Sequence, residues 1–396
     1  MDVLRLIGPL LAVSFAFKMG DIGMGFVPML LVDHNVPPDV ASWILGSAKG
    51  CVIIGILGGG WIVDRIGPRR TLVASFAMIA VAFSILPFMT TAVGIGAATM
   101  AEQLAQGMIT GPLRLLVVIS VPSDRQQQGI AWARMNNNLA VGTGYLVGSI
   151  IGTAGLGWIF GFDAACAVVA CLLGAKFLPA LLPVVVRPSV AEVPELAAPA
   201  QQADTSAQTR SAGPFVVMCM IVLAFCFFYE LGLTSSSALA KVAFGSEGVV
   251  VYSRVMLINT ALCTLLALAA ARLIRKPVSA LSVGIALVAA ALIALSLGHT
   301  TQVGFWLFAF LITAGEIVFT SLSTVVLVRL IPSDQHRSLL HSVGQVMNAL
   351  GKMIGSAAAF PLMVHGSYQI TMVVGLLVAV LAFIALNRRG LAAVAL

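Results

Sequence analysis

Charge is what this sequence has least of. Asp, Glu, Lys and Arg make up 9% of its 396 residues, while 60% are hydrophobic. A soluble domain carries roughly 25% charged residues. A soluble core of this length cannot hide so much apolar surface, so lipid surrounds most of the chain. Histidine is scarce too. His34, His299, His336, His341 and His365 are scattered among connections and span ends. None pairs with a nearby Cys or acid at metal-ligand spacing. Cys51, Cys166, Cys171, Cys219, Cys226 and Cys263 all fall inside apolar runs and build neither a metal site nor a disulfide framework. No nucleophilic serine with a partner His and acid can be assigned, and no channel filter is present. A Gly-x-x-x-x-Gly-Lys-Ser/Thr phosphate loop is missing, which excludes ATP-driven work within this chain. No catalytic residue, metal or cofactor is therefore expected, and the chain does not read as an enzyme.

The charges that are present sit in telling places. The net charge of +7 does not signal nucleic acid. The basic residues lie in short connections, where anionic lipid headgroups are the natural partner. The first apolar run is too long for a cleavable signal and carries Lys18 and Asp21. A membrane helix needs about 20 mostly apolar residues. About twelve such spans are predicted, near 6–32, 41–63, 71–92, 95–121, 130–153, 158–182, 214–236, 250–271, 278–297, 303–330, 339–362 and 368–386. Residues 184–213, rich in Pro, Ala and Gln, cannot build a core and read as a flexible linker. The chain divides into an N-terminal six-helix bundle over 1–183, the linker, and a C-terminal six-helix bundle over 214–396.

Alternate connections hold nearly all the basic residues: Arg65, Arg69 and Arg70, then Arg125, Arg187, Arg210, Arg272, Arg275, Lys276, Arg337, Arg388 and Arg389. The opposite set holds little beyond Lys241, with Arg254 just inside the eighth span. This asymmetry predicts that both termini and the linker are cytoplasmic. The halves also repeat. Pro122-Ser123-Asp124 recurs as Pro332-Ser333-Asp334, and at the same offset Asn138 meets Asn348 and Arg65 meets Arg275. Duplicated bundles joined by a linker suit secondary transporters, whose sites lie near the midplane between the halves.

One stretch concentrates polar chemistry between the second and third spans: GGGWIVDRIGPRRTL, residues 58–72. It resembles the loop signature of the major facilitator superfamily, Gly-x-x-x-Asp-Arg-x-Gly-Arg/Lys-Arg/Lys. Gly60, Asp64, Arg65, Gly67, Arg69 and Arg70 occupy the pattern, and Pro68 stands where a basic residue is common. Gly60 is expected to allow close helix approach, Gly67-Pro68 to force a tight turn, and Asp64 to face a helix N-terminus. The resemblance implies a twelve-helix, two-bundle membrane fold and a latch in this loop that closes the cytoplasmic side. Other family patterns depart from the usual form. Gln103-Leu-Ala-Gln106-Gly107 stands where many members have Arg-x-x-Gln-Gly, and Gly144-Tyr145-Leu-Val-Gly148-Ser149 lacks the Gly-Pro pair of the antiporter signature. At Ala270–Pro277 the second copy of the loop has lost its acid.

Ionisable groups within spans need a partner, a wet cavity or a role. Lys18 and Asp21 are three positions apart, neighbours on one helical face. Glu230 in the seventh span sits at a depth similar to Asp21. Glu102 and Glu316 recur in the fourth and tenth spans. A carboxyl group in an apolar cavity can take up and release a proton near neutral pH, so Asp21, Glu230, Glu102 and Glu316 are the proton-coupling candidates. Lys49, Arg114, Arg254 and Lys352 are candidates for an anionic group, or for pairing with those acids. Arg114 stands out because it follows Gly111-Pro112, a potential helix distortion. The polar stretches Arg134–Asn138 and His341–Asn348 should line the pathway, which adds Asn137, Asn138, Gln345 and Asn348. Gly142, Gly144, Gly148, Gly351 and Gly355 should let helices pack closely. Of the aromatic run Phe225–Tyr229, some rings should face lipid, while Tyr229 is a candidate wall of the pocket.

These residues predict a secondary active transporter, a monomer in a bacterial inner membrane, whose partners are protons, the lipid bilayer and a small-molecule substrate. The first expectation is proton-coupled export of a small amphipathic organic molecule. The alternatives are an importer or exchanger of a small organic anion, and a non-transporting receptor or assembly partner that retains the fold.

Overall fold

A computed structural model describes residues 3–122, 125–178, 213–273, 277–330 and 337–364. Nearly everything described is helix, because a backbone in lipid must satisfy its own hydrogen bonds. The helices are α1 (Val3–Met19), α2 (Val27–Asp33), α3 (Pro38–Ile66), α4 (Pro68–Ile85), α5 (Ala92–Ile119), α6 (Gln126–Ile151), α7 (Leu156–Phe177), α8 (Gly213–Phe244), α9 (Gly248–Leu273), α10 (Pro277–Gly298), α11 (Gln302–Arg329) and α12 (Arg337–Val364). Among the described residues, seven helical stretches are long and apolar enough to cross a membrane, and the polar α5, α6 and α12 fall outside that set. The last predicted span, 368–386, and the predicted linker lie outside the described residues.

Local chemistry sets the ends. Pro38 and Pro68 occupy first-turn positions that need no donated N–H. Thr91 caps α5, its hydroxyl accepting the Gly94 N–H at 3.1 Å. Gly67 turns the chain between α3 and α4 with φ +84°, a conformation that disfavours a side chain. Pro112 lies inside α5, which continues through it.

The first predicted span is not one helix. It breaks between α1 and α2, where Gly20–Ile22 form a turn and Gly23–Phe26 a 3-10 turn. Lys18 and Asp21 still meet, but Asp21 lies in the turn beyond the last residue of α1 and not on a continuous helical face.

Helices α1 to α7 pack on one another through the pairs α3–α5, α4–α7, α4–α5, α1–α6 and α1–α7. The later group packs through α10–α11, α8–α12 and α9–α11. The groups meet along α3–α12, α6–α9 and α2–α8. Glycine permits several of these approaches. A Cβ on Gly55 would run into the Leu104 carbonyl of α5, and one on Gly107 into the Val52 carbonyl of α3. Gly351 and Gly355 of α12 likewise face the α8 backbone at Leu223 and Phe227. Gly60 does not play this part: it is exposed with open space around it, and Gly59, set against Met108, makes the approach. The aromatic run of α8 is mostly buried, with Phe227 half-buried. Phe225, Phe228 and Tyr229 are buried, and Phe225 stacks on Phe319 with ring centroids 3.7 Å apart. α8 contacts α12, α9, α10, α11 and α2, which leaves little of its surface for lipid.

Candidate functional site

Between the two helix groups lies a cavity of about 430 Å³. Helix α3 brings Leu45, Lys49, Val52 and Ile56 to it, α5 brings Gln103 and Gln106, and the broken first span brings Asp21, Met24, Gly25 and Pro28. From the other group come Tyr229 and Glu230 of α8, Tyr252 and Met256 of α9, and Gln345, Asn348, Lys352 and Ser356 of α12. The wall therefore combines an apolar body with a few charges, as small-molecule sites do.

The charges are mostly paired. Asp21 receives Lys18 at 2.5 Å and the Gln106 amide at 2.5 Å. Glu230 receives Lys49 at 2.8 Å and the Ser356 hydroxyl at 3.3 Å. The Lys49–Glu230 pair joins α3 to α8 and so ties one helix group to the other. Lys352 lines the cavity without a carboxylate at ion-pair distance among the described residues. Glu102 stands behind the wall, buried; it accepts from Gln103 at 2.7 Å, and its Oε1 has no partner among the described residues. Glu316 forms a neighbouring network. It accepts from the Tyr229 hydroxyl at 2.7 Å and from Asn259 at 2.9 Å, and the Cys263 thiol lies 3.8 Å away.

One end of the cavity is shut. Tyr145 and Tyr252 meet edge to face with centroids 6.2 Å apart, and Phe26 packs on Tyr252 at 5.3 Å. The Ser237 hydroxyl donates to the Gly25 carbonyl at 2.5 Å, and farther out Lys241 pairs with Asp33 at 2.8 Å. All these contacts cross between the helix groups. Toward the opposite end, which carries the 58–72 loop, the lining residues Ile56 and Gln345 are exposed.

Several predicted site residues lie elsewhere. Arg254 is exposed on α9 and does not line the cavity. Asn137 accepts from Ser14 of α1 at 2.7 Å, so its polarity serves packing within one helix group; Asn138 is half-buried beside it, outside the lining. The side chains of Arg114 and His341 lie outside the described residues. In the loop, Asp64 is exposed and Arg65 stacks over the Trp61 ring at 3.7 Å. Arg69 donates to the Ala175 carbonyl near the end of α7, where the helix dipole favours a cation, while Arg70 is exposed. Sequence reasoning passed over Asp163. It is fully buried in α7 and accepts the Gly23 N–H. The signal was available, since an acid inside an apolar span is what singled out Asp21.

A lipid-embedded helical body with a central cavity lined by apolar and charged side chains, closed at one end by contacts between its helix groups, is the architecture of a membrane transport protein. Its family follows from comparison. A sequence profile of the major facilitator superfamily matches residues 10–356, and the chain belongs to that superfamily. No curated protein matches it. Among solved structures, the nucleoside transporter NupG is similar with TM-score 0.76 at 14% identity, covering 97% of this chain and all of that one. A peptide transporter POT in complex with alafosfalin gives TM-score 0.76 at 16% identity, covering 97% and 93%. A POT family transporter in complex with 5-aminolevulinic acid gives 0.75 at 14%, covering 97% of each. At such identities the likeness concerns the fold.

Proposed function

We propose that this chain is a secondary active transporter that works by alternating access and carries a small amphipathic organic anion together with a proton. The loop end is taken as cytoplasmic from the basic-residue asymmetry, which makes the described conformation inward-facing. One observation carries the choice of anion: among the described residues Lys352 faces the cavity without a carboxylate at ion-pair distance, whereas Asp21 and Glu230 already hold lysines. Exchange of protons against a cation, the first expectation from sequence, needs acids that are free to receive it.

Charge balance then sets the coupling. An anionic group arriving beside Lys352 and Lys49 competes with Glu230 for the Lys49 ammonium. Two anions cannot share that cation cheaply in a low-dielectric site. A proton on Glu230 relieves the conflict and releases Lys49 to the substrate. Proton and anion thus bind together and leave the cavity's net charge unchanged. The apolar part of the substrate lies against Met24, Leu45, Val52 and Met256.

The test is binding of a matched pair of probes, 4-phenylbutyrate and 4-phenylbutylamine, to purified protein. The carboxylate is expected to bind and the amine not, with Lys352→Gln weakening carboxylate binding by about tenfold or more, as loss of a hydrogen-bonded charge partner does. Tighter binding of the amine would overturn the anion assignment.

A further inference from the structure

The break in the first span has no cap of its own. Neither Ile22, before the 3-10 turn, nor Phe26, before α2, supplies a capping side chain. The first N–H groups of a helical segment lack partners within it, and inside a lipid-surrounded bundle an unmet donor is costly. The missing acceptor comes from 140 residues along the chain. The Asp163 carboxylate of α7 accepts the Gly23 N–H, with the Ile22 N–H beside it. Asp163 is completely buried, forms no ion pair among the described residues, and has one oxygen, Oδ1, without a partner there. It takes no part in the cavity wall.

The surroundings are shaped to this contact. A Cβ on Gly20 would run into the Cys166 side chain and the Asp163 backbone, and one on Gly23 into Asp163 Oδ2 and the Phe83 ring. Only a glycine-bearing turn lies this close to α7. What the turn presents on its other side belongs to the transport site: Asp21, Met24 and Gly25 line the cavity, and the Gly25 carbonyl receives Ser237 from the opposite helix group.

We infer that Asp163 is a positioning residue of the transport site, a cap supplied by α7 that holds the first span broken and so sets Asp21 against Gln106 and Gly25 against Ser237. Its meaning for transport rests on the proposed function above, but its geometry does not, and the two are tested separately.

The experiment uses full-length protein in nanodiscs. Amide exchange of residues 20–27 is read by mass spectrometry, and a Met24→Cys reporter is labelled with a polar maleimide. Asp163→Ala removes the acceptor and is expected to speed exchange at Gly23 by about tenfold or more and to change the labelling rate, with α10 and α11 unaffected. Asp163→Asn keeps an amide oxygen as acceptor and is expected to match the parent within about twofold on both readouts. Gly23→Ala leaves Asp163 in place but drives its carboxylate off the amide; it should deprotect the same residues and serves where Asp163→Ala fails to insert. Unchanged protection in Asp163→Ala or Gly23→Ala overturns the inference, as does an Asp163→Asn protein that exchanges as fast as the alanine variant. Failure of the proposed function would show instead as normal gradient-driven uptake in Glu230→Gln, with the exchange results intact.

Discussion

Asp21 and Glu230, both proposed as coupling acids, have different surroundings, and the difference separates their proposed roles. Asp21 is held by Lys18 and Gln106 from its own helix group. Glu230 is held by Lys49 across the groups and by Ser356 within its own. Under the proposed alternating access, only the second pair must be remade as the two helix groups move. We expect Glu230→Gln to abolish accumulation of a bound carboxylate against its gradient in proteoliposomes while leaving downhill exchange in place, because Gln keeps the shape of a protonated acid and cannot release a proton. Accumulation at the parental rate would remove Glu230 from the coupling step. Asp64 is exposed in this conformation, so its proposed latch contact belongs to the other one. Asp64→Asn should insert and unfold like the parent protein yet transport several-fold more slowly; full transport would sink the latch assignment.

At the scale of elements, glycine pairs decide which helices touch. Gly55 and Gly107 bring α3 and α5 together so closely that a methyl group on either meets backbone. Gly58, one turn away in the same GGG-rich segment, has nothing within 4 Å of an added Cβ. Gly55→Ala should lower the thermal unfolding midpoint in detergent, at an overpacking cost of about 1–3 kcal/mol, whereas Gly58→Ala should leave it in place. Equal effects would mean that helix propensity and not packing governs both sites. The sequence made most elements legible, since long apolar runs and basic connections obey strong rules of the bilayer. It did not reveal the break in the first span. Gly20, Gly23 and Gly25 look like ordinary small residues for close packing, and their partner Asp163 is far away in sequence. For the same reason Asn137 was misread: polarity on α6 looked like pathway lining, but Asn136 and Asn137 answer the Leu11 carbonyl and the Ser14 hydroxyl of α1. Which side of a helix a polar residue serves depends on neighbours that spacing does not specify.

At the scale of the molecule, the described conformation is closed where Tyr145, Tyr252, Gly25 and Ser237 meet and where Asp33 pairs with Lys241. Alternating access requires those contacts to part while the loop end closes. The most direct test measures distances at both ends of one protein. Spin labels at Val93 and Val303, both exposed at the starts of α5 and α11, report the closed end; labels at Ile119 and Val216, exposed at the end of α5 and the start of α8, report the loop end. Pulsed dipolar distances are recorded in nanodiscs across pH and in the Glu230→Gln background. Two populations are expected at each end, with the Val93–Val303 distance lengthening as the Ile119–Val216 distance shortens. A single distance at each end that neither pH nor Glu230→Gln changes, or two ends that open together, would contradict alternating access.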